Sequence, residues 1–94
     1  MSHPVVLITG ATAGIGRATA LAFAAKGARL VCSGRNAAAG DALISELREM
    51  GAEADFLAAD VSREDDVMRL VSHAVERFGC LDIAVNSAGT EGTP

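Results

Sequence analysis

The stretch Thr9-Gly10-Ala11-Thr12-Ala13-Gly14-Ile15-Gly16, "TGATAGIG", decides how this chain is read. It follows "PVVLI" and precedes "RATALAFAAKG". Glycine loses more backbone freedom on folding than any other residue, so a cluster of three is costly unless something must approach the backbone closely. The flanks say where the cluster sits. Val5 to Ile8 is a short apolar run, which reads as a parallel strand buried on both faces. From Gly14 or Ile15 to about Lys26 the chain is alanine-rich, with Leu21 and Phe23, and Gly27 follows. That pattern predicts a helix with a C-terminal glycine stop. A strand, a glycine turn and a helix start present unpaired N–H groups and the positive end of a helix dipole to whatever lies above. A phosphate is stabilised in that place.

The same alternation repeats along the rest of the chain. Arg29 to Ser33 reads as a second strand. Ala37 to Met50 carries Leu43, Ile44, Leu47 and Met50 at helical spacing and ends at Gly51. Glu53 to Ala58 reads as a third strand. A third helix starts after Ser62, the expected N-cap. Val67, Leu70, Val71, Ala74, Val75 and Phe78 form its apolar face, and Gly79 stops it. Leu81 to Asn86 reads as a fourth strand, and residues 87–94 are turn-rich. Strand and helix alternating with short connections predict an α/β fold, a doubly wound parallel sheet with helices on both faces. The order is β-α-β-α-β-α-β.

Composition narrows the function. The chain has 94 residues, which fits one domain spanning 1–94. It is 50% hydrophobic and 21% charged, the balance of a folding sequence. The net charge of −4 argues against nucleic acid as a partner. No apolar stretch is long enough for a membrane span. The start, Met1-Ser2-His3-Pro4, lacks the features of a secretory signal, so a cytoplasmic location is expected. Cys32 and Cys80 have neither metal-type spacing nor a C-x-x-C pairing, and both are expected to be buried free thiols. No metal site is expected.

In a doubly wound sheet the first strand-to-helix turn lies at the carboxyl ends of the strands, where ligands bind. Gly10 permits the tight turn, Gly14 leaves room for a pyrophosphate, and Gly16 lets the helix pack close to the strand. A strand before, a helix after and a second strand at the expected distance point to a dinucleotide. The spacing is G-x-x-x-G-x-G, and no G-K-[ST] follows, so the turn is not a P-loop.

"TGATAGIG" resembles the T-G-x-x-x-G-[IL]-G signature of the short-chain dehydrogenases/reductases. Asp60-Val61 after the third strand resembles the acidic position of that family that contacts adenine. Asn86-Ser87-Ala88-Gly89 resembles its N-N-A-G motif, with Ser87 where the second asparagine usually stands. The resemblance runs over essentially the whole chain. It implies a Rossmann-like fold with strand order 3-2-1-4, NAD(P)(H) as cofactor, and oxidation or reduction of an alcohol/carbonyl pair. Carried over by position, Gly10, Gly14 and Gly16 shape the pyrophosphate turn and Thr12 adds a hydroxyl there. Ile15 lies beside the cofactor at the helix start. Asp60 accepts from the adenine amino group, and the Val61 backbone borders the ring. Asn86 ties the fourth strand to its neighbours, and Ala88 and Gly89 line the ribose.

An NAD enzyme usually ends its second strand with an acid that binds the ribose hydroxyls and repels a 2′-phosphate. Here that place is Ser33-Gly34-Arg35-Asn36. Gly34 stands where the acid would be, and the Arg35 guanidinium can hold a phosphate by two parallel hydrogen bonds. Ser33 and Asn36 add neutral hydrogen bonds in this reading. NADP(H) is therefore the expected cofactor, with NAD(H) acceptable. The competing reading makes Arg35 a solvated loop charge and Asn36 a helix cap.

The family's catalysis implies a Tyr-x-x-x-Lys pair on a later helix. This chain has no tyrosine, and its single lysine, Lys26, sits at the end of the first helix. No residue is therefore given a catalytic role. His73 reads as a structural histidine, and Glu64, Asp65 and Asp66 as helix-start acids suited to the dipole. With order 3-2-1-4 the fourth strand is an edge with little cover, and a bare apolar edge invites association. The expectation is the amino-terminal half of a longer enzyme, a homo-oligomer when complete, acting on a small alcohol or carbonyl compound. Two alternatives stand beside it. One is a non-catalytic nucleotide-binding or regulatory module. The other is a methyltransferase, which would want an acid where Gly34-Arg35 stands.

Overall fold

The computed structural model describes residues 3–12 and 14–87. Its elements are β1 (Val5–Thr9), α1 (Gly14–Ala25), β2 (Arg29–Gly34), α2 (Ala37–Glu49), β3 (Ala54–Ala58), α3 (Glu64–Phe78) and β4 (Ile83–Asn86). The four strands form one sheet in the order β3-β2-β1-β4. All three pairings are parallel, as the alternation predicts. The register places Val5 beside Arg29, Val6 beside Ile83 and Leu30 beside Ala54.

Handedness explains which helix lies on which face. Parallel crossovers are right-handed. The path β1-α1-β2-α2-β3 moves one way along the sheet, so α1 and α2 share a face. The path β3-α3-β4 runs back the other way, which puts α3 on the opposite face. The first core joins Val6, Ile8, Leu30 and Cys32 with Ala20 and Ala24 of α1 and Leu43, Ile44 and Leu47 of α2. The second joins Val5, Leu7 and Val31 with Ala59 and with Leu70 and Ala74 of α3. β1 and β2 are buried on both faces, as their continuous apolar runs require. α2 closes on β3 because Gly40 has no side chain. A Cβ there would overlap the Phe56 ring.

Three expectations are corrected. Ser62 does not cap α3. The N-cap is Arg63, without a side-chain cap hydrogen bond. The Ser62 hydroxyl donates instead to Asp60 Oδ1 at 2.6 Å. The start of α3 still carries Glu64, Asp65 and Asp66, which suit the helix dipole. Cys80 is exposed, because it falls in the turn between α3 and β4 rather than in a strand. Cys32 is buried as expected, and burial pushes its thiol up to about 12, so it is inert. The apolar stripe of α3 is also wider than the surface it covers. Leu70 and Ala74 are buried, whereas Met68, Val71 and Val75 stay exposed.

The two edges of the sheet differ. β4 is mostly exposed, as expected of an edge strand. The β3 edge is held by side chains from both flanking helices. Arg48 donates to the Ala54 carbonyl by Nε at 3.2 Å and Nη2 at 3.0 Å, and Arg69 donates to the Ala58 carbonyl at 3.0 Å. Such occupancy discourages edge-to-edge pairing. Asp55 on β3 meets His73 Nε2 at 2.9 Å, Arg77 Nε at 3.2 Å and Arg48 Nη2 at 3.4 Å. His73 is thus the half-buried structural histidine the sequence suggests.

Partial burial by itself would raise the Asp55 pKa. The His73 hydrogen bond and the Arg77, His73 and Arg48 charges outweigh it and hold the carboxyl below its ordinary value. A lowered folded-state pKa contributes stability above the unfolded value and loses it as pH falls through the folded value. With solvent screening of these half-exposed partners, Asp55→Asn is expected to cost about 1–2 kcal/mol at neutral pH. The deficit should shrink toward zero at acid pH below the ordinary carboxylate range, once wild-type Asp55 is itself protonated. Urea unfolding at both pH values reads this directly. A deficit that ignores pH would mean the charge network contributes nothing.

Candidate functional site

Chain direction reverses at β1. Its first connection leaves toward β2, while α3 returns the chain to β4 on the other side. In open α/β sheets ligands bind at such a switch point, beyond the carboxyl ends of the strands. Most of the sequence-predicted residues gather there.

Gly10 follows β1 with φ 65°, a conformation that disfavours side chains. Ala11 N donates to the Ser33 carbonyl at 2.8 Å, so the glycine turn is tied to the end of β2. Gly14 opens α1 with φ 59°, and a Cβ built there meets nothing within 4 Å among the described residues. The first turn of α1 carries no acidic residue, so the positive end of this helix is not neutralised from within. In α3 three acids fill the corresponding place. Gly16 is a packing glycine. A Cβ there would overlap the Gly10 carbonyl oxygen and lie 2.6 Å from Ser87 Oγ. Ile15 is 63% exposed beside this turn.

Ser87 and Asn86 support the turn from below. Ser87 Oγ donates to the Thr9 carbonyl at 2.7 Å, and Ser87 N donates to the same oxygen at 3.2 Å. Thr9 Oγ1 donates to Asn86 Oδ1 at 2.9 Å, and this bond ties β4 to β1. In the sequence Ser87 stands out only as a departure from the family motif.

The far side of the site is built on β2 and β3. Ala59 N donates to the Gly34 carbonyl at 3.0 Å and joins the two strand ends. Asp60 Oδ1 accepts from Ser62 N at 3.0 Å and from Ser62 Oγ, while Asp60 N donates to Asp66 Oδ2 at 2.8 Å. The two Ser62 hydrogen bonds lower the Asp60 pKa, and the Arg35 and Arg63 charges add to them. An ionised acceptor therefore stands at the end of β3, with Arg35 within electrostatic reach. Sequence reasoning missed Ser62 and Asp66 in this role, although Asp60-x-Ser62 is the spacing of a side-chain turn.

Val61 is half-buried against the second core. Arg35 is exposed on the loop after β2. Asn36 Oδ1 accepts from Ala39 N at 3.0 Å and caps α2, which leaves its amide NH₂ to donate elsewhere. Ser33 is fully buried, and its hydroxyl has no hydrogen-bond partner among the described residues. The neutral hydrogen bond expected from Ser33 is therefore not offered at the surface where Arg35 stands. Thr12 stands over Gly34, with Cγ2 3.0 Å from where a Cβ of residue 34 would be. Ala88 and Gly89 lie outside the described residues.

A glycine turn, a helix start without acidic residues of its own and a switch point together define a Rossmann-like sheet. Residues 4–94 match the short chain dehydrogenase family, and the chain belongs to that family. It is 44% identical over 88 residues to the 3beta-hydroxysteroid dehydrogenase of Mediterraneibacter gnavus, covering 94% of this chain and 32% of that enzyme. The actinorhodin polyketide ketoreductase solved with NADPH superposes with a TM-score of 0.85 at 38% identity, over 90% of this chain and 33% of that one. A short-chain dehydrogenase/reductase of Burkholderia phymatum in complex with NAD gives a TM-score of 0.86 at 35% identity, over 88% and 30%. The chain thus spans about a third of the length of these relatives.

Proposed function

We propose that this chain is the cofactor-binding part of an NADP(H)-preferring oxidoreductase acting on an alcohol/carbonyl pair. When bound, the nicotinamide supplies the hydride chemistry. The residues of this chain supply binding and orientation. Gly14 leaves an open approach to the α1 N–H groups, and that cradle fits a pyrophosphate. Gly10 and Gly16 shape it, Thr12 offers a hydroxyl and Ile15 borders it. Asp60, ionised and held by Ser62, accepts from the adenine amino group, with Val61 along the ring. Ala88 and Gly89 are assigned to the ribose. None of the 94 residues is assigned to proton transfer.

The observation that carries the NADP(H) preference is the end of β2. No acid stands there to repel a 2′-phosphate, and Arg35 is exposed beside it. Asn36 adds its amide hydrogens. A charge-assisted hydrogen bond contributes about 1.5–3 kcal/mol, so titration should show NADPH bound about ten-fold or more tighter than NADH. Arg35→Ala should erase that ratio with little change in NADH affinity. A ratio that survives the substitution would remove Arg35 from the site.

A further inference from the structure

We infer that Thr12 and Gly34 act as one specificity-determining pair, in which Thr12 closes the end of β2 against the carboxylate that an NAD-specific site would place there. This pairing rests on the dinucleotide reading above and goes beyond it. An absent acid explains only why a 2′-phosphate is not repelled. The pair predicts that adding the acid alone is not enough.

Gly34 is the last residue of β2, and it is not among the glycines with positive φ. Its conformation is therefore open to any L residue, and glycine is not required there by the chain's own geometry. Space is the constraint. A Cβ at residue 34 would sit 3.0 Å from Thr12 Cγ2 and 3.1 Å from Thr12 Oγ1. Both are tighter than ordinary carbon contacts, which lie near ~3.5–4.0 Å. Thr12 Cβ is 3.6 Å away, an ordinary contact. The obstruction thus comes from the two terminal atoms of one threonine, and Thr12→Ala removes both.

Thr12 cannot simply withdraw with its backbone. The neighbouring Ala11 N is hydrogen-bonded to the Ser33 carbonyl at 2.8 Å, which holds the glycine turn against β2. On the other side Ala59 N holds the Gly34 carbonyl at 3.0 Å. Residue 34 is clamped between the turn after β1 and the end of β3, and an aspartate there requires the Thr12 side chain to give by a few tenths of an ångström. β-branched threonine has few rotamers to move to. The small Gly34 and the branched Thr12 therefore belong together, and the room above them is left to Arg35 and whatever anion it meets.

The test is a double-mutant cycle on the purified chain with NADH and NADPH as the probes. Gly34→Asp and Thr12→Ala are made singly and together. Gly34→Asp alone is expected to lose NADPH affinity without a matching gain for NADH. In the Thr12→Ala background the same aspartate is expected to bind NADH about ten-fold more tightly than it does with Thr12 present. Any hydrogen bond between the Thr12 hydroxyl and the dinucleotide cancels in the cycle. Gly34→Ala serves as the control without charge. It should lower the unfolding midpoint in the wild-type background and not with Thr12→Ala, a readout that needs no ligand. NADH gains equal in the two backgrounds, or Gly34→Ala effects equal in both, would overturn the pairing. Failure of the wild-type chain to bind either dinucleotide is a separate result, which overturns the functional reading itself.

Discussion

Gly16→Ala is expected to remove a large share of the stability of this protein, whereas Gly14→Ala should cost it much less. The two glycines are two residues apart in one motif, yet they meet different surroundings. A Cβ at Gly16 would overlap the Gly10 carbonyl oxygen and stand 2.7 Å from the Gly10 carbonyl carbon. Those are backbone atoms of the turn after β1, and Ser87 Oγ closes the third direction at 2.6 Å. Relief requires α1 to lift from the sheet. Overpacking in a core costs about 1–3 kcal/mol when side chains yield, and about 3–5 kcal/mol is expected where backbone must. A domain of this size holds about 5–15 kcal/mol in all. Gly14 meets no steric obstacle among the described residues, where nothing lies within 4 Å, but its φ of 59° costs an alanine about 1–2 kcal/mol. Its methyl would instead fill the space proposed for the pyrophosphate. Urea unfolding with NADPH titration separates the two: Gly16→Ala loses stability, and Gly14→Ala loses binding. A Gly16→Ala variant within about 1 kcal/mol of wild type would show that α1 has room to move.

The fold is legible in the sequence because its signals are local and repeated. Val5 to Ile8, the alanine-rich helix and the glycine stops each speak for themselves, and handedness then assigns the faces. Element ends are less legible. Ser62 looks like a helix cap in isolation, but the Asp60 carboxylate two residues earlier competes for its hydroxyl and wins. Cys80 has apolar neighbours on one side only, and its exposure depends on where β4 begins. The width of the α3 stripe says that the helix is amphipathic, not how much of that face the sheet reaches.

In the site, the glycines are legible because a backbone that must be bare can be filled by one residue type only. Asn86 comes from the family motif. Ser87, Ser33 and the Thr12–Gly34 contact are not legible, since each depends on distances between elements that sequence spacing does not contain. Ser33 is the clearest instance. Arg35, two residues on, is exposed, yet Ser33 still lies within β2, a strand buried on both faces. Arg35 and Asn36 lie past the strand end, where that burial no longer applies.

Leu70→Ala is expected to loosen α3 and, through it, the side of the site proposed to hold adenine. The helix is anchored by its two buried residues, Leu70 and Ala74. Leu70 is fully buried among Val5, Leu7, Val31 and Ala59. Removing a buried leucine side chain costs about 2–5 kcal/mol, with the larger values where the surroundings cannot collapse. β1 and β2 are fixed by pairing on both sides, so the upper half of that range is expected here. The effect should reach the site because Asp66, in the first turn of α3, accepts from Asp60 N at 2.8 Å. A helix that shifts on the sheet carries that acceptor with it and releases the turn that presents the Asp60 carboxylate. Leu47→Ala is the matched comparison. Leu47 is also fully buried, but it lies under α2 on the opposite face. Both variants should lose comparable stability in urea. At a temperature where each remains folded, only Leu70→Ala should also lose NADPH affinity. Equal affinities for the two variants would show that α3 supports the fold without positioning Asp60.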